Sequence, residues 1–394
     1  QLPKYVPELH RFGATITLMH LLHHMSGLRD EQVLMLKGRR AEDIVTQDDV
    51  LRVIFDQREL SFAPGSRFSY SNSNYTLLAL VVERVSGQRF GEFLASRVFS
   101  PLGKNNSYVQ DDFRKPRAGE AWPYGGGPDG VQRRLNAASN YGAGNIRSTA
   151  EDMALWAMNL LEPKVGTEAM IADMLEAVRD EKGPATRYAS GFEIGRHRDM
   201  TTVEHGGIAP GSSAYFLVIP ARGLGVTILC NDELNGLNHL ARGVADAILG
   251  GAADPEPRQE SVILADRELR RFVGTYREDG GALFAVELRD GKLFMQGEDE
   301  MIPVGNGKFV LDGPPVAFSF RAETVGAPFS RLTVHDTDQD RIAYRIEKAP
   351  VEDLRPDMMG QYAGDYYSPE LRTVISIAKR GDELWLSGPA YETR

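Results

Sequence analysis

The stretch Gly250–Ser261, which contains Ala-Ala-Asp-Pro-Glu-Pro, divides the chain into two textures. Before it, segments of helical period alternate with strand-like runs. After it, short alternating strands follow one another with almost no helical signal. The later part also repeats itself. Phe272-Val273-Gly274-Thr275-Tyr276 returns as Tyr362-Ala363-Gly364-Asp365-Tyr366. Gly291-Lys292-Leu293-Phe294-Met295-Gln296-Gly297 returns as Gly381-Asp382-Glu383-Leu384-Trp385-Leu386-Ser387-Gly388. Residues 262–350 are therefore expected to form one small antiparallel β-barrel, and residues 355–394 to begin a second copy and stop a few strands in. A barrel cut there leaves open edges, so the C-terminus reads as truncated.

In the first part, Thr17 to Gly27 reads as a short helix, capped by Thr17 and ended by Gly27, with Leu18, Leu21, Leu22 and Met25 on one face. Phe62-Ala63-Pro64-Gly65 is a turn leading into Tyr70-Ser71-Asn72. A helix follows through Leu77, Leu78, Val81, Val82 and Val85 and stops at Gly87. Another covers Phe90 to Val98 and breaks at Pro101-Leu102-Gly103. Residues 110–140 are rich in Gly, Pro, Asp and Arg and read as a long irregular excursion of the kind that shapes a cleft. Thr149 caps a further helix, with Asp152 as its capping-box partner. Strands are expected over Ser190–Gly195, Thr201–His205, Ser212–Ile219 and Gly223–Cys230, and a helix from Leu237 to Ile248 closes the unit.

Charge excludes some partners. The net charge of −10 gives no electrostatic case for nucleic acid or an anionic membrane. Cys230 is the single cysteine, so there is no internal disulfide framework and no multi-cysteine zinc site. Its apolar run, Val226 to Cys230, marks it as a buried strand residue. No stretch is long and apolar enough to span a bilayer as a helix. The chain opens on Gln1 without a charged-then-apolar leader, which fits a processed, engineered or truncated start and says little about compartment.

Acyl transfer needs a nucleophile, a base, an oxyanion hole and a proton for the leaving atom. Tyr70 can supply the base and Asn72 an amide that orients substrate. A tyrosine hydroxyl titrates near pH 10, so it acts as a base only beside positive charge. His205-Gly206-Gly207 falls at the start of a predicted edge strand, where glycines let a substrate approach the backbone. The Ile208 N–H, just beyond, is a candidate oxyanion donor. His205 can donate to a substrate carboxylate or to Tyr70.

Several blocks occur in order: Ile16 to Leu28 (ITLMHLLHHMSGL), Phe62 to Asn72 (FAPGSRFSYSN), Pro101-Leu102-Gly103, Ser148 to Met153, and His205 to Gly211 (HGGIAPG). Together they resemble the serine β-lactamase-like, penicillin-binding-protein-like family, which includes class C β-lactamases, family VIII esterases and D-aminopeptidases. The resemblance covers roughly residues 12–250, and the repeats resemble lipocalin-like accessory domains. It implies an α/β (α+β) fold with an antiparallel sheet flanked by helices over 1–250, a linker at 251–261, a lipocalin-like barrel at 262–350 and a partial second barrel at 355–394. It also implies a serine hydrolase acting on an ester, amide or β-lactam through an acyl-enzyme, with Tyr70 and His205 catalytic and Asn72, Gly206, Gly207 and Ile208 binding substrate. No metal or organic cofactor is implied. A periplasmic or extracellular location is usual for such proteins.

Two departures matter. The Ser-x-x-Lys helix of the family precedes the Ile16 block by several tens of residues, and only fifteen residues precede Ile16 here. The third motif is His-Gly-Gly in place of Lys-Thr-Gly, which fits the family's esterases and peptidases better than efficient β-lactamases. Little or no turnover is expected of this chain as it stands. Three readings stay open: a fragment of an esterase or peptidase, a non-catalytic binding module, and a cleaved enzyme whose N-terminal segment acts in trans. Ser376-Ile377-Ala378-Lys379 is a literal Ser-x-x-Lys, but it lies in a predicted strand, where the motif's helical geometry is missing. His20 and His24 stand one helical turn apart with no third ligand evident, which favours packing over a metal.

Overall fold

The computed structural model describes residues 2–9, 12, 16–38, 43–112, 115–127, 130–134, 141–177, 187–234, 236–250, 261–278, 283–296, 299–311, 317–322, 324, 326–335, 340–346, 356–381, 383–389 and 391–393. Thr17 Oγ1 accepts the His20 N–H, and the Thr17 N–H donates to His20 Nδ1, so helix α1 (Leu18–Leu22) opens on a complete capping box. The helix ends well before Gly27. His24 takes a left-handed φ of 53°, which breaks the helix and turns its ring inward. Gly27 follows at φ 78°, where a Cβ would collide with the Phe62 carbonyl.

Helices α2 (Glu31–Gly38), α3 (Gln47–Asp56) and α4 (Asn72–Ser86) come next. Gly87 ends α4 in the left-handed conformation, at φ 69°. Leu21, Val50, Ile54 and Leu77 are all buried in one apolar cluster, which fixes α4 against α1 and α3. Each such side chain contributes about 1.5–3 kcal/mol by leaving water. Helix α5 (Phe90–Leu94) runs through a π turn at Ala95–Phe99 into α6 (Ser100–Leu102). The break expected at Pro101-Leu102-Gly103 falls at its last residue, Gly103, because Pro101 sits in the first turn of α6, where no backbone N–H is needed.

The 110–140 excursion is not irregular throughout. Strand β1 (Tyr108–Val109) precedes a hairpin of β2 (Tyr124–Gly127) and β3 (Gly130–Arg133), and β4 (Ile146–Arg147) pairs with β1. Residues 113–114, 128–129 and 135–140 lie outside the described ones. Helix α7 (Ala150–Leu161) is capped by Thr149, but the Asp152 carboxylate is spent elsewhere. It accepts from the Asn106 N–H at 2.9 Å and from Ser107 Oγ at 2.7 Å, tying down the loop after α6.

Helix α8 (Glu168–Met174) leads to four strands: β5 (Glu193–His197), β6 (Met200–Ala209), β7 (Ser212–Ile219) and β8 (Leu224–Cys230). They form one antiparallel sheet in sequence order. Phe216 to Ile219 are buried on successive residues, so β7 is covered on both faces. Helix α7 lies tight on β8, since a Cβ on Gly225 would come within 2.9 Å of Ala157 Cβ. Cys230 is half-buried, not buried as its apolar run suggests, because β8 is the outer strand of the described sheet and Leu229 beside it is 42% exposed.

The chain divides into two compact units, residues 1–234 with 351–394, and residues 235–350. The second unit holds α9 (Leu237–Leu249) and α10 (Asp266–Leu269). Its strands are β9 (Gly274–Glu278), β10 (Leu283–Arg289), β11 (Lys292–Met295), β12 (Asp299–Gly305), β13 (Lys308–Leu311), β14 (Ala317–Arg321), β15 (Arg331–His335) and β16 (Asp340–Ile346). These eight antiparallel strands close into a barrel through β16 and β9. Its interior is filled by Phe272, Tyr276, Phe284, Phe309, Phe318 and Phe320 with their aliphatic neighbours, as expected of an eight-stranded barrel with a packed core. The linker expected at 251–261 falls almost wholly outside the described residues.

After the barrel come α11 (Pro356–Met359), β17 (Gly364–Ser368), β18 (Thr373–Arg380), β19 (Glu383–Gly388) and β20 (Tyr391–Thr393), a four-stranded antiparallel sheet. The sequence repeat is a structural one. Tyr276 donates its hydroxyl to the Phe272 carbonyl at 2.7 Å, and Tyr366 donates its own to the Tyr362 carbonyl at 2.9 Å.

The turn between β17 and β18 seats on the first unit's α-helical part. Glu370 Oε1 accepts from Arg29 Nη2 and from the Arg58 N–H, both at 2.7 Å, and Arg372 Nε reaches Asp56 at 2.6 Å. Burial pushes the Glu370 carboxyl up, but the hydrogen bonds from Arg29 and Arg58 outweigh it and hold its pKa below the usual value. The ionised form is the stabilised one, so its contribution is present above the unfolded pKa and lost as pH falls through the folded one. Glu370→Gln is expected to raise hydrogen exchange in 364–380 at pH 7, by about 1–2 kcal/mol in local stability. The difference from wild type should fade near pH 3, and a difference independent of pH would contradict this account.

Candidate active site

Tyr70 arrives on extended chain, and Ser71 takes the N-cap of α4 without a side-chain cap bond. The cap comes from outside. Asp30 Oδ2 accepts the Asn72 N–H at 2.6 Å and Asn72 Nδ2 at 2.9 Å. A carboxylate here satisfies an orphan donor and meets the positive end of the helix. Asn72 therefore has its Nδ2 committed and its Oδ1 left for a ligand. Glu31, fully buried, packs beneath this turn, with Ser73 Oγ 2.9 Å from its Oε2. Burial, then the Asp30 charge, pushes the Glu31 pKa well above the ordinary carboxyl range.

His24 backs Tyr70, with ring centroids 4.1 Å apart. The Ser71 N–H donates to His24 Nδ1 at 3.1 Å, and Asn74 Nδ2 lies 3.1 Å from the same atom. Nδ1 is therefore an acceptor and the ring proton sits on Nε2. Ser26 Oγ donates to Asn74 Oδ1 at 2.5 Å and so fixes that amide's orientation. Tyr188 and Tyr75 complete the cage around His24, at 4.7 Å and 5.2 Å. Burial, then the neighbouring His205, holds the His24 pKa well below the usual value, so the ring is neutral.

His205 to Ile208 do not start an edge strand. They lie in the second half of β6, where pairing with β5 ends at Glu204 while pairing with β7 continues to Ala209. Among the described residues β6 has one open side from His205 onward. The Gly206 carbonyl takes the His205 Nδ1 proton at 2.6 Å on that side. Ile208 is two residues further on, so its N–H faces the same way, and its side chain is 51% exposed. A Cβ on Gly207 would meet nothing within 4 Å, which leaves room for a ligand against the backbone.

Of the two partners expected for His205, a substrate carboxylate or Tyr70, the structure bears on the second. Its Nδ1 carries the proton, so Nε2 accepts, and the Tyr188 hydroxyl lies 3.1 Å away as donor. With Nε2 taken and its ring centroid 6.3 Å from that of Tyr70, His205 does not hydrogen-bond Tyr70. Burial lowers its pKa. Tyr70 is pushed in the opposite direction. Burial, then Asp30, Glu31 and Glu193, raises its pKa far above 10. The hydroxyl therefore keeps its proton at neutral pH.

Asp30, Asn74 and Tyr188 were not legible as site residues, because each is joined to the site only by tertiary contact. His20 serves the α1 cap and His24 serves Tyr70, so the two rings point to different tasks. Among the described residues no group of three or more His, Cys, Asp or Glu could hold a metal ion. Ser376 and Lys379 stand on β18, three apart, so their side chains leave opposite faces of the sheet, and Ser376 Oγ donates to Asp365 at 2.6 Å.

A family model for beta-lactamase matches residues 1–249. The chain belongs to the beta-lactamase family. Among curated relatives, a D-aminopeptidase of Gluconobacter oxydans is 25% identical over 259 residues, 65% of this chain and 49% of its own length. Penicillin-binding protein 4* of Bacillus subtilis is 23% identical over 338 residues, 77% of this chain and 73% of its own. The chain thus spans about half the length of the first of these. Among solved structures, the octameric penicillin-binding protein homologue of Pyrococcus abyssi covers 99% of this chain and is itself covered over 81%, with a TM-score of 0.58 and 18% identity. A D-amino acid amidase of Ochrobactrum anthropi covers 63% and is covered over 76%, with a TM-score of 0.55 and 20% identity. The likenesses in structure establish the β-lactamase/transpeptidase fold, with the closed barrel following it.

Proposed function

We propose that this site belongs to a serine hydrolase that cleaves an amide or ester bond through an acyl-enzyme, with D-amino-acid amides and peptides ahead of β-lactams. The observation that carries the reading is the open side of β6 from His205 to Ala209, beside Tyr70. The Ile208 N–H there suits an oxyanion donor, which must be held in place before charge develops. Asn72 Oδ1 receives a substrate N–H. Tyr70 relays a proton between nucleophile and leaving group. His205 and Tyr188 position the strand edge and the aromatic floor. The groups acting on Tyr70 are all acidic or neutral, so the nucleophile and the cation that activates it come from a segment other than the described residues. The names of the D-aminopeptidase and D-amino acid amidase relatives support the substrate class.

A second reading is a binding module that keeps the cleft without turnover. The firmly protonated Tyr70 favours it for the chain by itself. A fluorophosphonate probe, read by intact mass and peptide mapping, is expected to label no serine of this chain. D-Phenylalanine amide should be hydrolysed only when a segment bearing Ser-x-x-Lys is supplied in the same chain or in trans, and Tyr70→Phe should abolish that turnover. Saturable binding with no turnover under either condition selects the binding module. An adduct on a serine among these residues would overturn both assignments of the site.

A further inference from the structure

Described residues between Gln110 and Arg147 line a cavity of about 450 Å³, open to solvent, whose charge is opposite to that of the protein. The chain carries a net charge of −10, yet this cavity is lined by Arg117, Arg133, Arg134 and Arg147 against a single acid, Glu120. Arg147 is neutralised by Glu120 at 2.9 Å. Arg134 donates from Nη2 to the Gly126 carbonyl, and its Nε is buried without a partner among the described residues. The other two guanidinium groups are stacked: Arg133 lies 3.3 Å over the ring of Trp122, and Arg117 lies 3.7 Å over that of Tyr108. Among the described residues neither is paired with a carboxylate. Stacking occupies the faces of a guanidinium and leaves its in-plane donors free, the geometry that receives a carboxylate through two parallel hydrogen bonds.

The cavity wall is fastened to the candidate active site. The Tyr124 N–H lies 3.1 Å from both the Gly211 and the Asn231 carbonyls, and Asn231 Nδ2 donates to the Trp122 carbonyl at 3.0 Å. Gly211 stands at φ 73° with Pro123 packed where a Cβ would be, so only glycine lets the wall come this close to the turn after β6. Gly211 is three residues beyond Ile208, in the tight turn where Ala209 pairs with Ser212.

We propose that this cavity binds the carboxylate of a short peptide or acylated amino acid. The second half of the idea rests on the hydrolase reading: with its carboxylate held here, a short peptide runs past the turn after β6 toward the Ile208 N–H. The substrate is then a peptide or acyl-peptide whose anionic end lies in the arginine cavity while its scissile bond lies on the open edge of β6.

Binding is read without turnover, so failure here and failure of the hydrolase reading are distinguishable. Trp122 is one of three tryptophans and lies in the cavity wall, so tryptophan fluorescence reports occupancy. The intact chain is titrated with N-acetyl-glycyl-glycine and with its C-terminal amide, in low salt. The carboxylate is expected to change the fluorescence saturably and to bind at least tenfold more tightly than the amide. Arg117→Gln and Arg133→Gln replace exposed side chains and should each weaken carboxylate binding tenfold or more, whereas Arg222→Gln, exposed elsewhere, should not. Equal binding of acid and amide, unchanged binding in both arginine variants, or tight binding of inorganic phosphate with none of the carboxylate would overturn the proposal.

Discussion

Glu31→Gln is expected to stabilise the first unit at neutral pH, and by more at pH 7.5 than at pH 5.5. Glu31 is fully buried and no cation among the described residues compensates it; burial and Asp30 both disfavour its charge. A carboxyl whose folded pKa is raised binds a proton in the folded state that the unfolded chain has already released. Its stability contribution is thus complete below the unfolded value, near 4.5, and drains away as pH rises toward the folded one. Each pH unit in that window costs about 1.4 kcal/mol. Glutamine has the same shape and no proton to hold, so the variant escapes the cost. The gain should shrink to little near pH 4.5. His24 works in the other direction. Its depressed pKa means that the unfolded chain takes up a proton below about 6.5 that the buried ring refuses, so stability falls with acidification. In wild type the two slopes oppose each other between pH 5.5 and 7.5. In Glu31→Gln only the histidines remain, and stability should drop by about 1.4 kcal/mol or more across that interval. Urea midpoints of both proteins at pH 4.5, 5.5 and 7.5 test this. A variant less stable than wild type at pH 7.5, or a difference that does not move with pH, would refute the assignment of Glu31 as a neutral buried acid.

The same pair of residues marks the boundary of what the sequence could tell. Elements set by short-range rules were legible. Thr17, Thr149 and Gly87 act at the helix ends where their side chains or φ angles place them, and Ser212–Ile219 is a strand with the expected bounds. The repeat predicted related substructures, and Tyr276 and Tyr366 make the same hydrogen bond. Long-range partners were not legible. Asp152 has the spacing of a capping-box residue, yet its carboxylate serves Asn106 and Ser107, from a different segment. Asp30 caps a helix that starts far along the chain. For His205 the sequence offers a substrate carboxylate or Tyr70 as partner, and Tyr188, which nothing in its local sequence singles out, takes its Nε2. Arg117, Arg133 and Arg134 lie in the excursion expected to shape a cleft, but only the pairing of β2 with β3 brings Arg133 over Trp122. Site motifs name the residues of a cleft, and the contacts that fix their protonation come from segments without a pattern.

Tyr276→Ala is expected to cost the barrel about 3–5 kcal/mol, and Tyr366→Ala less than about 1 kcal/mol, although the two tyrosines occupy equivalent places in the repeat. Tyr276 has no solvent exposure; its ring packs 5.5 Å from Phe320, and its hydroxyl satisfies the Phe272 carbonyl. Removing it leaves a cavity and an orphaned acceptor inside a closed ladder. Tyr366 makes the matching bond to Tyr362 but is 48% exposed, so water replaces what alanine removes. The barrel strands carry no tryptophan, so tryptophan fluorescence is blind to this change and hydrogen exchange must be followed strand by strand. In Tyr276→Ala, exchange should rise together across β9 to β16, because a closed barrel has no edge from which to fray. Faster exchange confined to β9 and its neighbours would mean that the barrel opens at the β16–β9 seam. Equal costs for the two tyrosines would mean that burial, not the shared hydrogen bond, is the wrong basis for telling the copies apart.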